Sequence, residues 1–382
     1  MNSPLMTTSS GGGTGKSAPR FRQARFDDHR QITELQARYG LEVETYEAWV
    51  HLWAGNPACK DFPDWPIGWV LENEDSQIVG YIGNLPSLYE LGNQRVVVTS
   101  TRGLVVDVGY RNYSLPLLSH FFNQRQVDLF LDTTVSAGAL RAHEVFRALR
   151  VPAGMWDQAF FWITNYGGFS ASLLARKEVR WARGLQPPVS ASLFLRDVFE
   201  GRLLKTRRNG IEPISCTKFD ERFEDFWQKL RKARPDRLLA NRSQQMLDWH
   251  FKHPLAENRA WVLTISDAGG LAAYAIFLRQ DNPTFSLTRM RLVDFQTLDG
   301  NTELLAPIIC QALARCRREG IHMLEAIGFA PDKQRIIDSL SPHQRVLSSW
   351  RYFYKTGTRE LAESLKNPQV WDPSCFDGDA SL

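Results

Sequence analysis

Hydrophobic and polar positions follow the same succession of patterns in the two halves of the chain. After a strand-like run from residue 21, Ile32, Leu35 and Tyr39 recur at spacings of three and four, which places them on one helix face. Three strand-like runs bounded by turn residues come next, followed by helix, strand, helix and strand. The pattern predicts the order β-α-α-β-β-β-α-β-α-β in each half. The predicted fold is therefore α/β, with a mixed sheet flanked by helices in each copy.

Matched segments indicate that the second half repeats the first. Residues 68–71 (Gly-Trp-Val-Leu) correspond to 260–263 (Ala-Trp-Val-Leu). Residues 101–107 (Thr-Arg-Gly-Leu-Val-Val-Asp) correspond to 288–294 (Thr-Arg-Met-Arg-Leu-Val-Asp), again about 190 residues apart. This spacing predicts duplication of a whole domain. Asp107 and Asp294 are expected at equivalent strand ends, which favours a structural role for both.

Chain length agrees with two domains, because 382 residues exceed one usual core and domains of roughly 150 residues are common. Residues 10–17 look like a phosphate-binding loop but lack its flanking strand and helix, so a disordered Gly/Ser tail is predicted. The predicted organisation is a disordered tail (1–20), an N-terminal domain (21–165), a connector (166–209), a C-terminal domain (210–356) and a C-terminal tail (357–382).

Composition narrows the classes of function. The balance of 46 basic against 42 acidic residues disfavours nucleic acid as the main partner. The five cysteines include no Cys-x-x-Cys pair, which is typical of reduced thiols in a cytoplasmic protein. His250 and His253 form a His-x-x-His pair that no second cluster completes, so no metal is expected. No apolar run approaches the roughly 20 residues needed to span a bilayer.

The connector is the most basic part of the chain. Nine Lys and Arg residues stand against three acidic residues between positions 165 and 209. Apolar residues that can form one side of a helix accompany them: Leu193, Phe194, Val198, Phe199 and Leu203. Two interpretations stay open, a packed and solvated linker or a basic helix that contacts a membrane surface.

The most specific motif follows the fourth predicted strand, where residues 105–118 read Val-Val-Asp-Val-Gly-Tyr-Arg-Asn-Tyr-Ser-Leu-Pro-Leu-Leu. With the order of elements, it resembles the GNAT fold (GCN5-related N-acetyltransferase). The duplication resembles tandem GNAT-like acyltransferases that act on cell-envelope or thiol-sugar substrates. In that family an Arg/Gln-x-x-Gly-x-Gly/Ala loop binds the coenzyme A pyrophosphate at a helix N-terminus. Arg111 occupies the first motif position, while Ser114 and Pro116 replace the small residues.

The resemblance implies that the first copy binds acyl-CoA as a co-substrate, with no permanently bound cofactor. The corresponding loop of the second copy carries Asp299 and Glu303, whose charges repel a pyrophosphate. The predicted coenzyme-binding residues are Val106, Val108, Arg111, Asn112, Ser114 and Leu115.

Candidate catalytic and acceptor-binding residues lie on other elements. Phe146 stands where the family carries a Tyr that protonates the departing thiolate, so another group or water must serve. Asp132 and Thr134, at the end of the fifth strand, are the predicted catalytic residues, with strand-end capping as the alternative. The predicted acceptor-binding residues of the second copy are Arg242, Trp249 and His250, with core packing as the alternative.

The sequence thus predicts transfer of an acetyl or longer acyl group from acyl-CoA to an amine or hydroxyl. The expected acceptor is a small molecule or saccharide, such as an amino sugar or a cell-envelope or polysaccharide precursor. Two alternatives stay open: an aminoacyl-tRNA-dependent ligase of peptidoglycan type, and a non-catalytic GNAT-like binding or scaffold protein. The oligomeric state is not determined by these patterns.

Overall fold

The computed structural model describes residues 18–177, 182–203 and 210–382. The phosphate-loop-like residues 10–17 and the basic residues Lys205, Arg207 and Arg208 lie outside these ranges. The first half contains β1 Arg20–Gln23, α1 His29–Arg38, α2 Tyr46–Ala54, β2 Gly68–Glu72, β3 Ile78–Leu91, β4 Gln94–Val106, α3 Ser114–Phe122, β5 Leu129–Asp132, α4 Leu140–Val145, β6 Leu149–Arg150 and β7 Gln158–Ile163.

The connector and the second half supply the remaining elements. The connector contains α5 Tyr166–Arg176 and α6 Gln186–Phe199. The second half contains β8 Ile214–Cys216, α7 Glu221–Ala233, β9 Leu238–Ala240, α8 Gln244–Ala256, β10 Ala260–Asp267, β11 Gly270–Arg279, β12 Arg289–Thr297, α9 Leu305–Arg318, β13 Met323–Ile327, α10 Pro331–Ser339, β14 His343–Val346, β15 Phe353–Thr356 and α11 Arg359–Ser364.

Several helix starts follow directly from local sequence. The side chains of Thr45, Asp220 and Ser243 accept backbone N–H groups at the first turns of α2, α7 and α8, respectively. Such caps satisfy donors that a helix leaves unpaired at its N-terminus. None of the described helices is both long enough and apolar enough to span a bilayer.

The strands form two mixed sheets. The first has the order β1-β2-β3-β4-β5-β15-β6, with β9 also paired to β3, and the second has the order β14-β7-β13-β12-β11-β10-β8. The pairs β4–β5 and β12–β13 are parallel, and the other neighbours are antiparallel. The predicted duplicated α/β architecture is confirmed.

The two copies exchange one strand each. β7, from the first half, lies between β13 and β14 of the second sheet. β15, from the second half, lies between β5 and β6 of the first sheet. The exchange is reciprocal, so each sheet is completed by the other half of the chain.

This exchange corrects the strand assignments made from sequence. The last strand of the predicted order, which corresponds to β7 in the first half, was expected to complete the first copy, but β7 pairs in the second sheet. A single last strand was expected in the second half, but two strands lie there, β14 ending at Val346 and β15 beginning at Phe353, and they belong to different sheets. The periodicity of a strand predicts that it is buried, but it does not identify its partner sheet. The domain boundaries at 165 and 210 stay predictions.

Apolar side chains form one core between the sheets and one outside each sheet. The central core joins Val98 and Leu131 of the first sheet to Ile276 of the second and to Leu247 of α8. The outer cores pack α1, α2 and α3 against the first sheet, and α9 and α10 against the second. Because the central core contains side chains from both halves, burial ties the copies together.

The C-terminal tail belongs to this central core. Trp371, Cys375 and Phe376 are buried there. The Trp371 indole donates a hydrogen bond of 2.8 Å to the Leu365 carbonyl oxygen. The tail therefore packs back onto the molecule between the sheets.

Candidate functional site

The parallel strands of each sheet pair over a short distance and then separate. In the first copy, pairing of β4 with β5 runs from Val98 to Ser100, although β4 continues to Val106. In the second copy, pairing of β12 with β13 runs from Arg289 to Leu292, although β12 continues to Thr297. A gap therefore opens beside the second part of each long strand.

The tail contacts both strands at the gap of the second copy. The Ser374 hydroxyl donates a hydrogen bond of 2.9 Å to Asp294 Oδ1 on β12. The Cys375 thiol lies 3.5 Å from the Ile327 carbonyl oxygen on β13. The tail therefore fills the gap between β12 and β13 in the second copy.

A few residues later, the tail reaches the gap of the first copy. The Thr133 hydroxyl, just after β5, donates a hydrogen bond of 3.0 Å to Asp379 Oδ1. Burial raises the pKa of Asp379 to about 6, although the charge of Arg102 and the Thr133 hydrogen bond oppose the rise. A carboxyl group that titrates near neutral pH therefore lies where β4 and β5 separate.

A cavity of about 800 Å³ lies between the two copies, next to this gap. The loop before α2, the C-terminal part of α8 and the turn between β11 and β12 form its walls. Arg102 of β4 and the tail residues Ala380 and Ser381 also line it. The volume is typical of a pocket for a small molecule.

The predicted coenzyme loop forms an exposed turn before α3. Residues Val108–Tyr113 make a short 3-10 helix, and Val108, Arg111, Asn112 and Leu115 are exposed. Asp107 Oδ1 accepts hydrogen bonds from the Val108 backbone N–H (3.0 Å) and the Tyr39 hydroxyl (2.6 Å). An internal carboxylate thus already occupies the first donor of this turn. The predicted residues lie together at the end of β4, and their binding of coenzyme stays a prediction.

The two predicted catalytic residues, like Asp379, are not among the residues that line the large cavity. Asp132 Oδ2 is 2.9 Å from His143 Nε2, and His143 Nδ1 is 2.9 Å from the Ala139 carbonyl oxygen. Burial lowers the pKa of His143, but the hydrogen bond and charge of Asp132 more than offset this, and the pKa is raised. Two oxygen acceptors favour the doubly protonated ring, so Asp132 forms an ion pair with His143. Thr134 is half-buried beside it.

The three predicted acceptor-binding residues separate into two groups. Trp249 and His250 line the cavity. The Trp249 indole donates a hydrogen bond of 2.9 Å to the His51 carbonyl oxygen, and His250 Nε2 lies 2.9 Å from the Ser381 hydroxyl. Arg242 is buried instead, with hydrogen bonds of 2.8 and 3.0 Å to the two oxygens of Asp294. The Arg242 guanidinium also donates a hydrogen bond of 3.4 Å to the Ser374 hydroxyl, so it links β12 to the tail.

The proposed equivalence of Asp107 and Asp294 is wrong in register. Asp107 follows the last residue of β4 directly, whereas β12 continues for three residues beyond Asp294. Asp294 is fully buried, while Asp107 is partly exposed. The Val-Asp pair that ends both segments, 101–107 and 288–294, aligns in sequence, but it does not occupy equivalent positions along β4 and β12.

Other solved structures have a similar overall fold. No family model matches the sequence, and no curated protein matches it. An N-myristoyltransferase from Saccharomyces cerevisiae with bound myristoyl-CoA has 12% identity and a TM-score of 0.55, over 93% of this chain and 81% of that one. A GCN5-related N-acetyltransferase from Anabaena variabilis has 13% identity and a TM-score of 0.51, over 88% and 72%. The chain has a duplicated GNAT-like fold.

A third similar structure, a probable N-acyltransferase from Enterococcus faecalis, has 10% identity and a TM-score of 0.54 over 89% of this chain and 73% of that one. Coverage of this extent includes both copies of the domain. The predicted duplicated GNAT-like fold is thereby confirmed.

Sequence reasoning missed the arginines and the tail residues that surround the cavity. Arg102 and Arg289 line it, one from each copy, as does Arg291. Arg102 and Arg289 both stand in the matched segments 101–107 and 288–294, so charged residues on otherwise apolar strands were an available signal. Asp379 carried no such signal, because turn-rich tails commonly contain Asp.

Proposed function

We propose that the protein is an acyltransferase that transfers an acyl group from acyl-CoA to an amine or hydroxyl. The observation that carries the proposal is the gap between β4 and β5, which lies beside a cavity of about 800 Å³ and a carboxyl group with a pKa of about 6. The folds of an N-acetyltransferase and an N-myristoyltransferase solved with myristoyl-CoA support it. The amino sugar or envelope precursor expected from sequence is proposed as the acceptor.

In this proposal, acyl-CoA enters the first copy, with its pyrophosphate at the turn before α3 and its thioester in the gap. The acceptor nitrogen or oxygen, held in the cavity, attacks the thioester carbonyl carbon. The new bond forms, the carbon–sulfur bond breaks, and coenzyme A leaves as the thiolate. Asp379 takes the proton that the nucleophile loses, and the thiolate is reprotonated from solvent.

We assign proton acceptance to Asp379 rather than Asp132 because His143 already occupies the carboxylate of Asp132. The second copy is proposed to bind the acceptor and to brace the first copy. Its own gap contains the tail residues Ser374 and Cys375.

Acyl transfer with acetyl-CoA and longer acyl-CoAs, offered to a panel of amines and amino sugars, tests the function. Asp379→Asn is expected to lower kcat at least ten-fold and to remove the rise in rate centred near pH 6. Asp299→Asn, in the acidic loop of the second copy, is the matched control and should behave like the parent. Equal rates and pH profiles in Asp379→Asn and the parent would remove Asp379 from the mechanism.

One observation favours a second candidate, a binding or scaffold protein without catalysis. Asp107 and Tyr39 bind each other and the Val108 N–H at the turn where a pyrophosphate would bind. A thermal-shift series with free CoA and acyl-CoAs separates the two functions. No stabilisation by any of them would favour the non-catalytic protein.

We further propose that the connector binds an anionic membrane surface. Helix α6 exposes 44% of Phe194, 51% of Leu195, 44% of Val198 and 86% of Phe199. The connector also carries six net positive charges by sequence, more than the +4 of the whole chain. Apolar side chains beside basic ones are typical of helices that bind anionic lipid.

Flotation with phosphatidylcholine vesicles, with or without phosphatidylglycerol, tests this contact. The parent should bind the anionic vesicles at low salt, and Phe194→Ser/Phe199→Ser should lose binding without a lower Tm. The matched charge variant, Arg202→Gln/Lys205→Gln/Arg207→Gln/Arg208→Gln, should also be released. The membrane proposal fails if the parent does not float. It also fails if Phe194→Ser/Phe199→Ser changes only the oligomeric state of the protein and not its binding to vesicles.

A further inference from the structure

A buried cluster beside the cavity has more positive than negative charge. Glu325 on β13 is fully buried, and its two oxygens bind three guanidiniums. Arg291 Nη2 lies 2.7 Å, Arg345 Nη2 3.0 Å and Arg289 Nη1 3.3 Å from these oxygens. One carboxylate therefore serves three arginines.

The neighbouring carboxylate does not remove this excess. Asp281 accepts the Arg279 side chain at 2.9 Å and the Arg289 backbone N–H at 3.0 Å. Together the four guanidiniums of Arg279, Arg289, Arg291 and Arg345 face two carboxylates. Two positive charges are left over in a partly buried place.

Burial makes such an excess energetically important. Charges are poorly screened where water is largely excluded, so like charges repel strongly there. Burial lowers the pKa of Arg289 despite the attraction of Glu325, and the charges of Arg291 and Arg345 lower it further. An anion bound at this place would offset the repulsion.

The cluster is open to the cavity on one side. Arg289, Arg291 and Trp350 line the cavity, and the Arg291 guanidinium lies 4.9 Å from the centre of the Trp350 ring. On the other side, Arg345 packs over Phe161 at 5.6 Å. The protein thus fixes the arginines with packing and ion pairs, and Arg279, Arg289 and Arg291 lie at the cavity wall.

We propose that Arg289 and Arg291 bind an oxyanion of the acceptor, a carboxylate or a phosphate. Planar guanidiniums bind both groups with charge-assisted hydrogen bonds. This inference rests on the proposed function, because it assumes that the cavity holds the acceptor. It adds the substrate class: the acceptor has a nucleophile near Asp379 and Arg102, and a negatively charged group towards β12.

Calorimetric titration of the full chain with sodium phosphate and, separately, sodium acetate tests the site at constant ionic strength. The parent should bind at least one of these anions with saturation, and the better ligand distinguishes a phosphate from a carboxylate. Arg289→Gln should weaken that binding at least ten-fold, while Arg289→Lys should keep part of it. Arg259→Gln is the matched control, since Arg259 lines the same cavity but is paired with Glu257 and half-exposed.

Three outcomes would overturn the proposal: no saturable anion binding by the parent, equal affinity in Arg289→Gln and the parent, or an equal loss in Arg259→Gln. The affinity for CoA, measured on the same variants, should not change in Arg289→Gln. If Arg289→Gln loses CoA affinity instead, the cluster belongs to the coenzyme site. If the parent binds the anion at the cluster but no CoA, the proposed function fails while the anion site stands.

Discussion

Buried charged residues determine which substitutions this fold can accept without losing stability. Arg242 and Asp294 form a two-point ion pair with almost no exposure, and Ser374 adds a hydrogen bond to the same carboxylate. Breaking such a pair leaves the remaining charge without compensation, whereas replacing both partners removes the need for one.

Arg242→Met should therefore lower the free energy of unfolding by about 3–5 kcal/mol. Arg242→Met/Asp294→Leu should recover most of that loss, because the buried carboxylate is gone. Denaturant unfolding measures both variants. A single variant that keeps its stability but loses acceptor affinity would instead support the acceptor-binding role predicted from sequence.

His250 should make the protein sensitive to acid. Burial lowers its pKa to about 3, so the native state keeps the ring neutral while the unfolded chain takes up a proton below its ordinary pKa near 6.5. Stability due to the neutral ring is complete above pH 6.5 and is lost as the pH falls towards 3. The loss is about 1.4 kcal/mol per pH unit, or about 2 kcal/mol between pH 6.5 and 5.

The difference in unfolding free energy between His250→Gln and the parent should therefore shrink by about 2 kcal/mol as the pH falls from 6.5 to 5. Ser381→Ala is the control, since it removes the hydrogen-bond partner of His250 but keeps the imidazole. Its difference from the parent should stay nearly constant with pH. Parallel pH curves for His250→Gln and the parent would contradict the account.

At the scale of elements, the tail segment after α11 is the part that links the two gaps. Gly378 lies between Ser100 and Thr133 with a φ of +62°, a conformation that favours glycine. A Cβ added there would lie 2.8 Å from Thr133 Cγ2 and 3.1 Å from Ser100 Oγ. Its close fit holds Asp379 at the end of β5.

Gly378→Ala should lower stability by about 1–3 kcal/mol, because both steric contact and backbone strain oppose it. Gly201→Ala is the matched control, with a φ of +68° but open space around the added carbon. It should show the conformational cost alone. Comparable Tm losses in the two variants would show that the tail does not pack closely at the first gap.

The order of elements could be predicted from sequence because it depends on local patterns. The spacing of Ile32 and Leu35, for example, predicts α1, and the turn after Val106 predicts the start of α3. Local patterns do not predict contacts between residues that are far apart in the sequence. Nothing local indicates that Thr133 binds Asp379 or that Glu325 binds three arginines, since these pairs form only when the sheets assemble.

At the scale of the whole molecule, the exchanged strands make the copies interdependent. β7 and β15 each lie inside the sheet of the other half, and the central core contains side chains from both. Sequence predicted both strands but assigned each to its own half, because an apolar strand fits the interior of either sheet. Duplication alone carries no information on such an exchange.

The chain divided into residues 1–204 and 205–382 should therefore give halves that fail to unfold cooperatively when made alone. Each isolated sheet lacks one internal strand, which exposes unpaired edges. The halves should copurify when produced together, and calorimetry of the intact chain should show one transition. Cooperative unfolding of either half alone would contradict this interdependence.

Calorimetric titration with acyl-CoA tests the central claim of an acyl-CoA-dependent acyltransferase most directly. The parent should bind acetyl-CoA or a longer acyl-CoA. Arg111→Ala should weaken the binding free energy by roughly 1.5–3 kcal/mol, about ten-fold or more in affinity, because charge-assisted contacts to the pyrophosphate are lost. Asp299→Asn, in the second copy, should bind like the parent. Absence of binding by the parent, or unchanged affinity in Arg111→Ala with loss in Asp299→Asn, would contradict the account.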